Sequence, residues 1–211
     1  MVIAQFRIKA TSPTRDKPIL AYKIGDSLYL NITNRCSNTC IFCPKFEDYN
    51  LLGNDLFLEV EPTFEEVMAA IDEPTGIAEI VFCGFGESLI RLDLVIRIAR
   101  EIKRTFGYPI RINTDGQANL FHGRNIIPEL TGLVDSISVS LNASDAASYL
   151  QLSNTPFGLD GFRGICNFII DAKKEIPIVI ASVVNVHGDD LDACRKIAES
   201  LGVLFKVREF K

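Results

Sequence analysis

The alternation of strand-like and helix-like segments is the feature that most constrains the fold of this chain. Short apolar runs, each followed by a stretch with helical spacing, recur over most of the sequence. Such alternation favours a parallel sheet with right-handed crossovers. The predicted core strands are 27–33, 78–83, 109–113, 134–141, 177–184 and 203–207. Six strands of this kind predict an α/β fold, as either an open, partial barrel or a doubly wound sheet.

A short hairpin is expected before the first core strand. Residues 18–23 and 27–33 flank Ile24-Gly25-Asp26, which has the composition of a turn. We therefore predict an N-terminal extension with a hairpin strand, residues 1–25, and one core domain, residues 26–211. The strands around Val81, Val139 and Ile180 are nearly continuous apolar runs, as expected of strands covered on both faces. Helices are predicted at 63–71, 91–106, 126–133, 144–150 and 160–174, and from residue 189 or 190 to 201.

The composition limits the cellular context. With 211 residues, 47% hydrophobic and 23% charged, the chain is typical of a globular protein with a sizeable core. The net charge of −5 gives no strong signal for nucleic-acid binding. No apolar stretch approaches the roughly 20 residues that cross a membrane, and the N-terminus lacks a secretion signal. We expect a cytoplasmic protein whose cysteines are thiols or metal ligands.

Three of the six cysteines, Cys36, Cys40 and Cys43, lie within eight residues directly after the first core strand. Buried structural thiols are one interpretation of this loop, and zinc is a second. Structural zinc needs four ligands, and the other cysteines and both histidines are isolated in the sequence. Cubane iron–sulfur clusters usually take four cysteines, so a loop with three leaves one iron open to another ligand. The loop therefore favours a [4Fe-4S] cluster with an open iron.

Turns with polar residues, two of them also with glycine, follow the next three strands. These turns are 84–87, 113–116 and 140–142. In parallel α/β folds, ligands bind at the carboxyl ends of the strands. We therefore expect the three turns and the cysteine loop to meet at one site.

The Cys-x3-Cys-x2-Cys spacing, with Phe42 before the last cysteine, resembles the signature of the radical SAM superfamily. The resemblance implies that Cys36, Cys40 and Cys43 hold a [4Fe-4S] cluster whose open iron is chelated by S-adenosylmethionine (SAM). In that family, the reduced cluster cleaves SAM to a 5′-deoxyadenosyl radical that abstracts hydrogen from a substrate. It also implies a low-potential electron donor of the flavodoxin or ferredoxin type. Of the two architectures above, we predict the partial (βα)6 TIM-like barrel.

The turns after the strands extend the resemblance. Residues 84–87 are similar to the family's Gly-Gly-Glu motif, which holds the methionine amino group, although Phe85 departs from it. The turn after the fourth strand is similar to the ribose and carboxylate contacts, and the end of the fifth strand lies near the adenine. The family's Gly-x-Ile-x-Gly-x-x-Glu pattern is missing there, and ordinary turn chemistry remains an alternative for these polar residues. The implied cofactor-binding residues are Phe42, Gly84, Phe85, Gly86, Glu87, Asn113, Asp115, Ser140, Asn142 and Val184.

Substrate contacts have a weaker signal. His122 and Arg124 lie in a polar segment, 117–125, that we predict as a loop after the third strand. They are candidate substrate contacts, and a solvated loop is the alternative. An open side of the barrel would admit a peptide or another macromolecule.

The stretches LYLNITNRCSNTCIFC, CGFGES, RINTDGQANLFHGRN and LVDSISVSLNA are most similar to small radical SAM proteins associated with TatD-family nucleases. This resemblance implies a functional link to a TatD-type nuclease but names no substrate. A 7-carboxy-7-deazaguanine synthase-like or activase-type radical SAM enzyme is an alternative. A non-catalytic module that binds an iron–sulfur cluster or SAM and regulates a partner is an alternative of another class.

Overall fold

The computed structural model describes residues 18–72, 74–185 and 191–209. Its strands are β1 (Ala21–Ile24), β2 (Ser27–Leu30), β3 (Asn50–Leu51), β4 (Asn54–Asp55), β5 (Glu79–Phe82), β6 (Ile110–Thr114), β7 (Ser136–Ser140), β8 (Ile178–Asn185) and β9 (Leu204–Glu209). Its helices are α1 (Phe64–Ile71), α2 (Leu92–Thr105), α3 (Ala118–His122), α4 (Ile127–Leu130), α5 (Ala146–Ser153), α6 (Asp160–Glu175) and α7 (Leu191–Leu201). Short 3-10 turns lie at Pro44–Phe46 and Ser88–Arg91.

The main sheet is mostly parallel and its strands follow one another in chain order. Its order is β1-β2-β5-β6-β7-β8-β9, and β3 and β4 form a separate small hairpin. The predicted N-terminal hairpin is confirmed, because β1 pairs antiparallel with β2 around Gly25 at φ 60°. Strands β2, β5, β6, β7, β8 and β9 of the main sheet pair in parallel, each with the next in this order. This order lacks the reversal that defines a doubly wound sheet.

The two faces of the sheet differ in chemistry. One face is apolar and packs against the helices; we call it the helix face, and its residues include Leu30, Ile80, Phe82, Ile112, Val139 and Ala181. Because side chains alternate along a strand, the intervening residues lie on the opposite face. We call this second surface the polar face because most of its residues are polar: Ser27, Tyr29, Glu79, Arg111, Asn113, Ser136, Ser138, Ser140, Ser182, Lys206 and Arg208, with the apolar Val81, Ile178, Ile180, Val184 and Leu204 among them. The expectation of strands covered on both faces holds only in part, because Val81 is fully buried on the second face while its strand neighbour Glu79 and its cross-strand partner Arg111 are charged.

Local sequence explains where the helices begin and end. Helix α1 begins with a capping box, in which Thr63 and Glu66 satisfy each other's backbone N–H groups. The buried residues of α2 recur at helical spacing, and Gly107 follows its end at φ 70°. None of the described helices is long and apolar enough to cross a membrane.

Some predicted boundaries are wrong. Strand β2 ends at Leu30 rather than residue 33, and α4 is only four residues long. The segment predicted as a polar loop contains α3. Two of its asparagines bond to the backbone that follows the segment: Asn119 Oδ1 accepts from Ile126 N at 3.0 Å and Asn125 Oδ1 from Ile127 N at 3.0 Å. The predicted start of the helix at residue 189 or 190 lies outside the described residues.

Candidate functional site

A cleft of about 390 Å³ lies at the carboxyl ends of the parallel strands, where the cysteine loop and the turns after β5, β6 and β7 meet. The sequence-predicted residues that line it are Cys36, Cys40, Phe42, Cys43, Gly84, Phe85, Asp115, Ser140, Asn142 and Val184. The other lining residues are Asn38, Pro44, Leu51, Tyr149, Arg208 and Glu209. The structure therefore brings together the three thiols and at least one residue from each predicted turn.

Five predicted residues are not part of the cleft lining. Gly86 and Glu87 lie behind it, and the side chain of Asn113 accepts a hydrogen bond from Arg111 Nη1 at 2.7 Å. His122 and Arg124 line a separate groove. A ring nitrogen of His122 lies 2.8 Å from the Leu89 carbonyl oxygen, and Arg124 forms an ion pair with Glu129. His122 and Arg124 therefore do not share the cleft with the cysteines.

Gly86 allows the cysteine loop to pack directly on the turn after β5. A Cβ atom at this position would overlap the carbonyl oxygens of both Thr33 and Arg35. The next residue reinforces the contact, because Glu87 N donates to the Arg35 carbonyl oxygen at 2.7 Å. Glycine is required here by close approach of two backbones.

Two carboxyl groups, the buried Glu87 and the half-buried Asp115, connect the cysteine loop to the turns after β5 and β6. Glu87 accepts from Leu89 N at 2.9 Å and from Asp115 N at 2.7 Å, while Asp115 accepts from Ser37 Oγ at 2.7 Å. Burial, followed by the neighbouring Asp115, raises the pKa of Glu87 to about 8. Burial also raises the pKa of Asp115. Glu87 is therefore not a cleft-lining residue; its carboxylate instead accepts hydrogen bonds from backbone N–H groups and so holds the turns that form the cleft.

A buried hydrogen-bond network holds the middle of the cysteine loop, and the sequence did not reveal it. Asn38 Nδ2 donates to Tyr149 OH at 3.0 Å, and Gln117 Nε2 donates to both Asn38 Oδ1 and Tyr149 OH, at 2.7 and 2.8 Å. Thr155 Oγ1 donates to Gln117 Oε1 at 2.5 Å. The polar Asn38 between two cysteines was the one local signal for this network.

The number of thiols suits a cubane cluster with one open iron better than structural zinc. Structural zinc needs four ligands, whereas each cysteine of a cubane cluster binds a different iron. Burial raises the pKa of the Cys40 thiol to about 12, with Cys43 and Asp115 adding to the shift. Metal binding must therefore displace a proton from this thiol.

Arg208 is a further cleft residue that the sequence analysis missed. Its Nη2 donates to Ser140 Oγ at 3.0 Å. Its Nε is buried and has no hydrogen-bond partner among the described residues. Burial lowers the pKa of the guanidinium. This cation lies on the last strand of the sheet, where no motif pointed to it.

Three thiols on one loop, with the strand-end turns around them, define the site of an iron–sulfur protein. The model of the Radical SAM superfamily matches residues 30–201. This match spans most of the chain, so the protein belongs to the radical SAM superfamily.

The curated relatives carry one activity name. The chain is 28% identical over 176 residues to the GTP 3′,8-cyclase of Lactiplantibacillus plantarum, covering 81% of this chain and 48% of the relative. It is 30% identical over 159 residues to the GTP 3′,8-cyclase of Rhodopirellula baltica, covering 72% and 42%. The chain thus spans about half the length of the curated relatives it matches.

Solved structures share the fold. A radical SAM methyltransferase from Sphaerobacter thermophilus aligns with a TM-score of 0.56 at 16% identity, covering 90% of this chain and 57% of that one. Methylornithine synthase aligns with a TM-score of 0.56 at 16% identity, covering 88% and 53%. The family and the named relatives indicate an enzyme, and the family implies a [4Fe-4S] cluster and SAM.

Proposed function

We propose that this protein is a radical SAM enzyme that binds a [4Fe-4S] cluster through Cys36, Cys40 and Cys43. The observation that carries the proposal is the meeting of these three thiols with the strand-end turns in one cleft. When bound, the reduced cluster would cleave SAM to a 5′-deoxyadenosyl radical that takes a hydrogen atom from substrate. The chain's own residues hold the cluster loop, orient the ligands and exclude water.

The walls of the cleft support these roles. The ring of Phe85 packs edge-on against Tyr49, with ring centroids 5.7 Å apart, and Phe42 adds a second aromatic wall. Asn142 lies at φ 55°, and its Oδ1 accepts from Val184 N at 3.1 Å. This bond fixes the ends of β7 and β8 relative to each other. Apolar walls with a few fixed polar groups are the usual features of a small-molecule site.

We further propose that the parallel strands form a partial (βα)6 TIM-like barrel with the polar face inside. Two observations support this: the strands follow chain order, and most residues of their second face are polar. A pre-formed polar interior next to the cysteine loop would place a substrate beside the bound SAM.

Anaerobic reconstitution of the protein with iron and sulfide, followed by reduction and addition of SAM, tests the function. We expect 5′-deoxyadenosine, and we expect Cys40→Ser to abolish its formation. Cys166→Ser is the matched control, because Cys166 is a half-buried thiol on α6 outside the cleft and should leave product formation unchanged. A native protein that keeps its cluster but makes no 5′-deoxyadenosine would instead indicate a non-catalytic module.

A GTP-directed reaction is a second candidate, favoured by the activity name of the relatives. The test is incubation of the reduced, SAM-loaded protein with GTP and analysis of the nucleotide. Consumption of GTP together with SAM would support this reaction. Unchanged GTP in a preparation that cleaves SAM would exclude it.

The remaining assignments are proposals supported by sequence alone. The stretches quoted above support kinship with the TatD-associated group and a functional link to a TatD-type nuclease. A flavodoxin- or ferredoxin-type donor would supply the electron, and a cytoplasmic location would keep the thiols reduced. Co-purification of this protein with a TatD-type nuclease is the direct check on that link.

A further inference from the structure

Arg208 is a half-buried cation, and among the described residues no ion pair joins it to a carboxylate. Its buried Nε has no partner there, and its Nη2 donates a hydrogen bond to the neutral Ser140 hydroxyl. Glu209 also lines the cleft, but its Oε2 accepts from Asn185 Nδ2 at 3.1 Å, and no ion pair joins it to Arg208. Burying an unpaired charge is costly, so a guanidinium in this position calls for an anion.

The surrounding polar face has an excess of positive charge. Arg111 pairs with Glu79 at 2.7 Å, and Ser27 Oγ also donates to Glu79 at 2.9 Å. The pKa of Glu79 is lowered because these hydrogen bonds and the nearby Lys206 outweigh its burial. Among the described residues of the polar face, Glu79 is the one carboxylate, and Arg111 already neutralises it. The positive charges of Lys206 and Arg208 on β9 are therefore not balanced by a carboxylate of this face.

We propose that Arg208, together with Ser140, binds an oxyanionic group of the substrate, a carboxylate or a phosphate, within the cysteine cleft. The inference rests on the proposed radical SAM function and assigns the chemical class of the substrate. A guanidinium presents parallel N–H donors that match the two oxygens of such a group. Ser140 Oγ, 3.0 Å from Nη2, adds a hydroxyl that is able to donate to the same oxygens.

The methionine carboxylate of SAM is the other oxyanion that would enter the cleft. The position of the charges favours the substrate instead. Lys206 lies two residues before Arg208 on β9, toward the amino end of the strand and away from the cysteine loop. Two cationic side chains, Lys206 and Arg208, thus lie along β9 and extend away from the cluster. This arrangement suits a separate anionic molecule better than the single carboxylate of SAM beside the cluster.

The test is calorimetric titration of the reconstituted, SAM-loaded protein under anaerobic conditions. The probes are pyrophosphate, citrate and GTP, with guanosine as the control that lacks phosphate. We expect the native protein to bind at least one oxyanion, and Arg208→Gln to weaken that binding roughly 10- to 100-fold. Arg208→Lys should lie between them, because it keeps the charge but loses the planar fork.

A matched control separates the site from general charge. Arg195 is an exposed arginine on α7 that packs over the ring of Phe205, and it does not line the cleft. Arg195→Gln should bind the probes as the native protein does. Thermal melts of each variant show whether the fold is intact.

Two results would overturn the proposal. The first is that no oxyanion binds the native protein, or that Arg208→Gln binds it equally well. The second is that Arg208→Gln no longer distinguishes SAM from decarboxylated SAM, which would assign Arg208 to the cofactor. Assay of 5′-deoxyadenosine in the same preparation keeps the two ideas apart. Its absence from the native protein contradicts the proposed function, whereas its formation without anion binding contradicts this inference alone.

Discussion

The helix face and the polar face of one sheet are built from alternate residues of the same strands, yet they serve different purposes. On the helix face, Ile80 and Phe82 are fully buried among helical side chains. On the polar face, Glu79 and Arg111 form an ion pair below the cysteine cleft. The difference shows that the helix face supplies stability while the polar face, with the strand-end turns, supplies a site. Substitutions on the two faces should therefore have separable effects.

The largest effect is expected on the helix face. Phe82→Ala removes a fully buried ring and should lower the free energy of unfolding by about 3–5 kcal/mol. Ser138→Ala on the polar face removes one small buried hydroxyl and should lower the free energy of unfolding by about 1 kcal/mol or less. Urea denaturation measures both. Similar losses for the two variants would break the distinction between the faces.

The network that holds the cysteine loop should have an intermediate effect. Tyr149→Phe deletes the hydroxyl that accepts from Asn38 and Gln117 and leaves these buried amides short of a partner. We expect a loss of about 1–3 kcal/mol in stability and a lower iron content after reconstitution. Tyr108→Phe, which removes a hydroxyl bonded to the Pro74 carbonyl outside the cleft, is the control. Full iron content in Tyr149→Phe would show that the network does not position the loop.

The smallest effect is a pH dependence on the polar face. The pKa of Glu79 is lowered in the folded state, so the ionised group binds fewer protons there than in the unfolded chain. Its contribution to stability is therefore complete above the unfolded pKa of about 4.3 and is lost as the pH falls through the folded pKa. Denaturation curves between pH 3 and 6 should show a shallower loss in Glu79→Gln than in the native protein. Parallel curves would mean that the ion pair contributes nothing.

The sequence predicted most of the fold and the centre of the site, because both depend on local patterns. Cysteine spacing and strand-end turns are visible in short windows, and they placed Cys36, Gly84 and Asn142 in one cleft. The hydrogen-bond network was not predictable, because Asn38 and Tyr149 are 111 positions apart. The sequence also could not predict that Arg208 lacks an ion-pair partner among the described residues, because this depends on which carboxylates the other strands place near it.

The polarity of the second face was missed for a related reason. Runs such as 178–184 are almost wholly apolar in sequence, and the serines of β7 look like ordinary strand residues. Only the pairing register shows that Ser138 lies beside Asn113 and Ser140 beside Ser182. A polar face built from several strands is a property of their alignment and is not visible in any one strand.

Electron paramagnetic resonance of the reduced, reconstituted protein tests the central claim most directly. If the three thiols leave one iron open for SAM, the spectrum should be that of a reduced [4Fe-4S] cluster, and addition of SAM should change its g-values. S-adenosylhomocysteine, which lacks the sulfonium, provides the matched comparison. A cluster spectrum that SAM leaves unchanged, or a protein that binds no cluster through Cys36, Cys40 and Cys43, would contradict the claim.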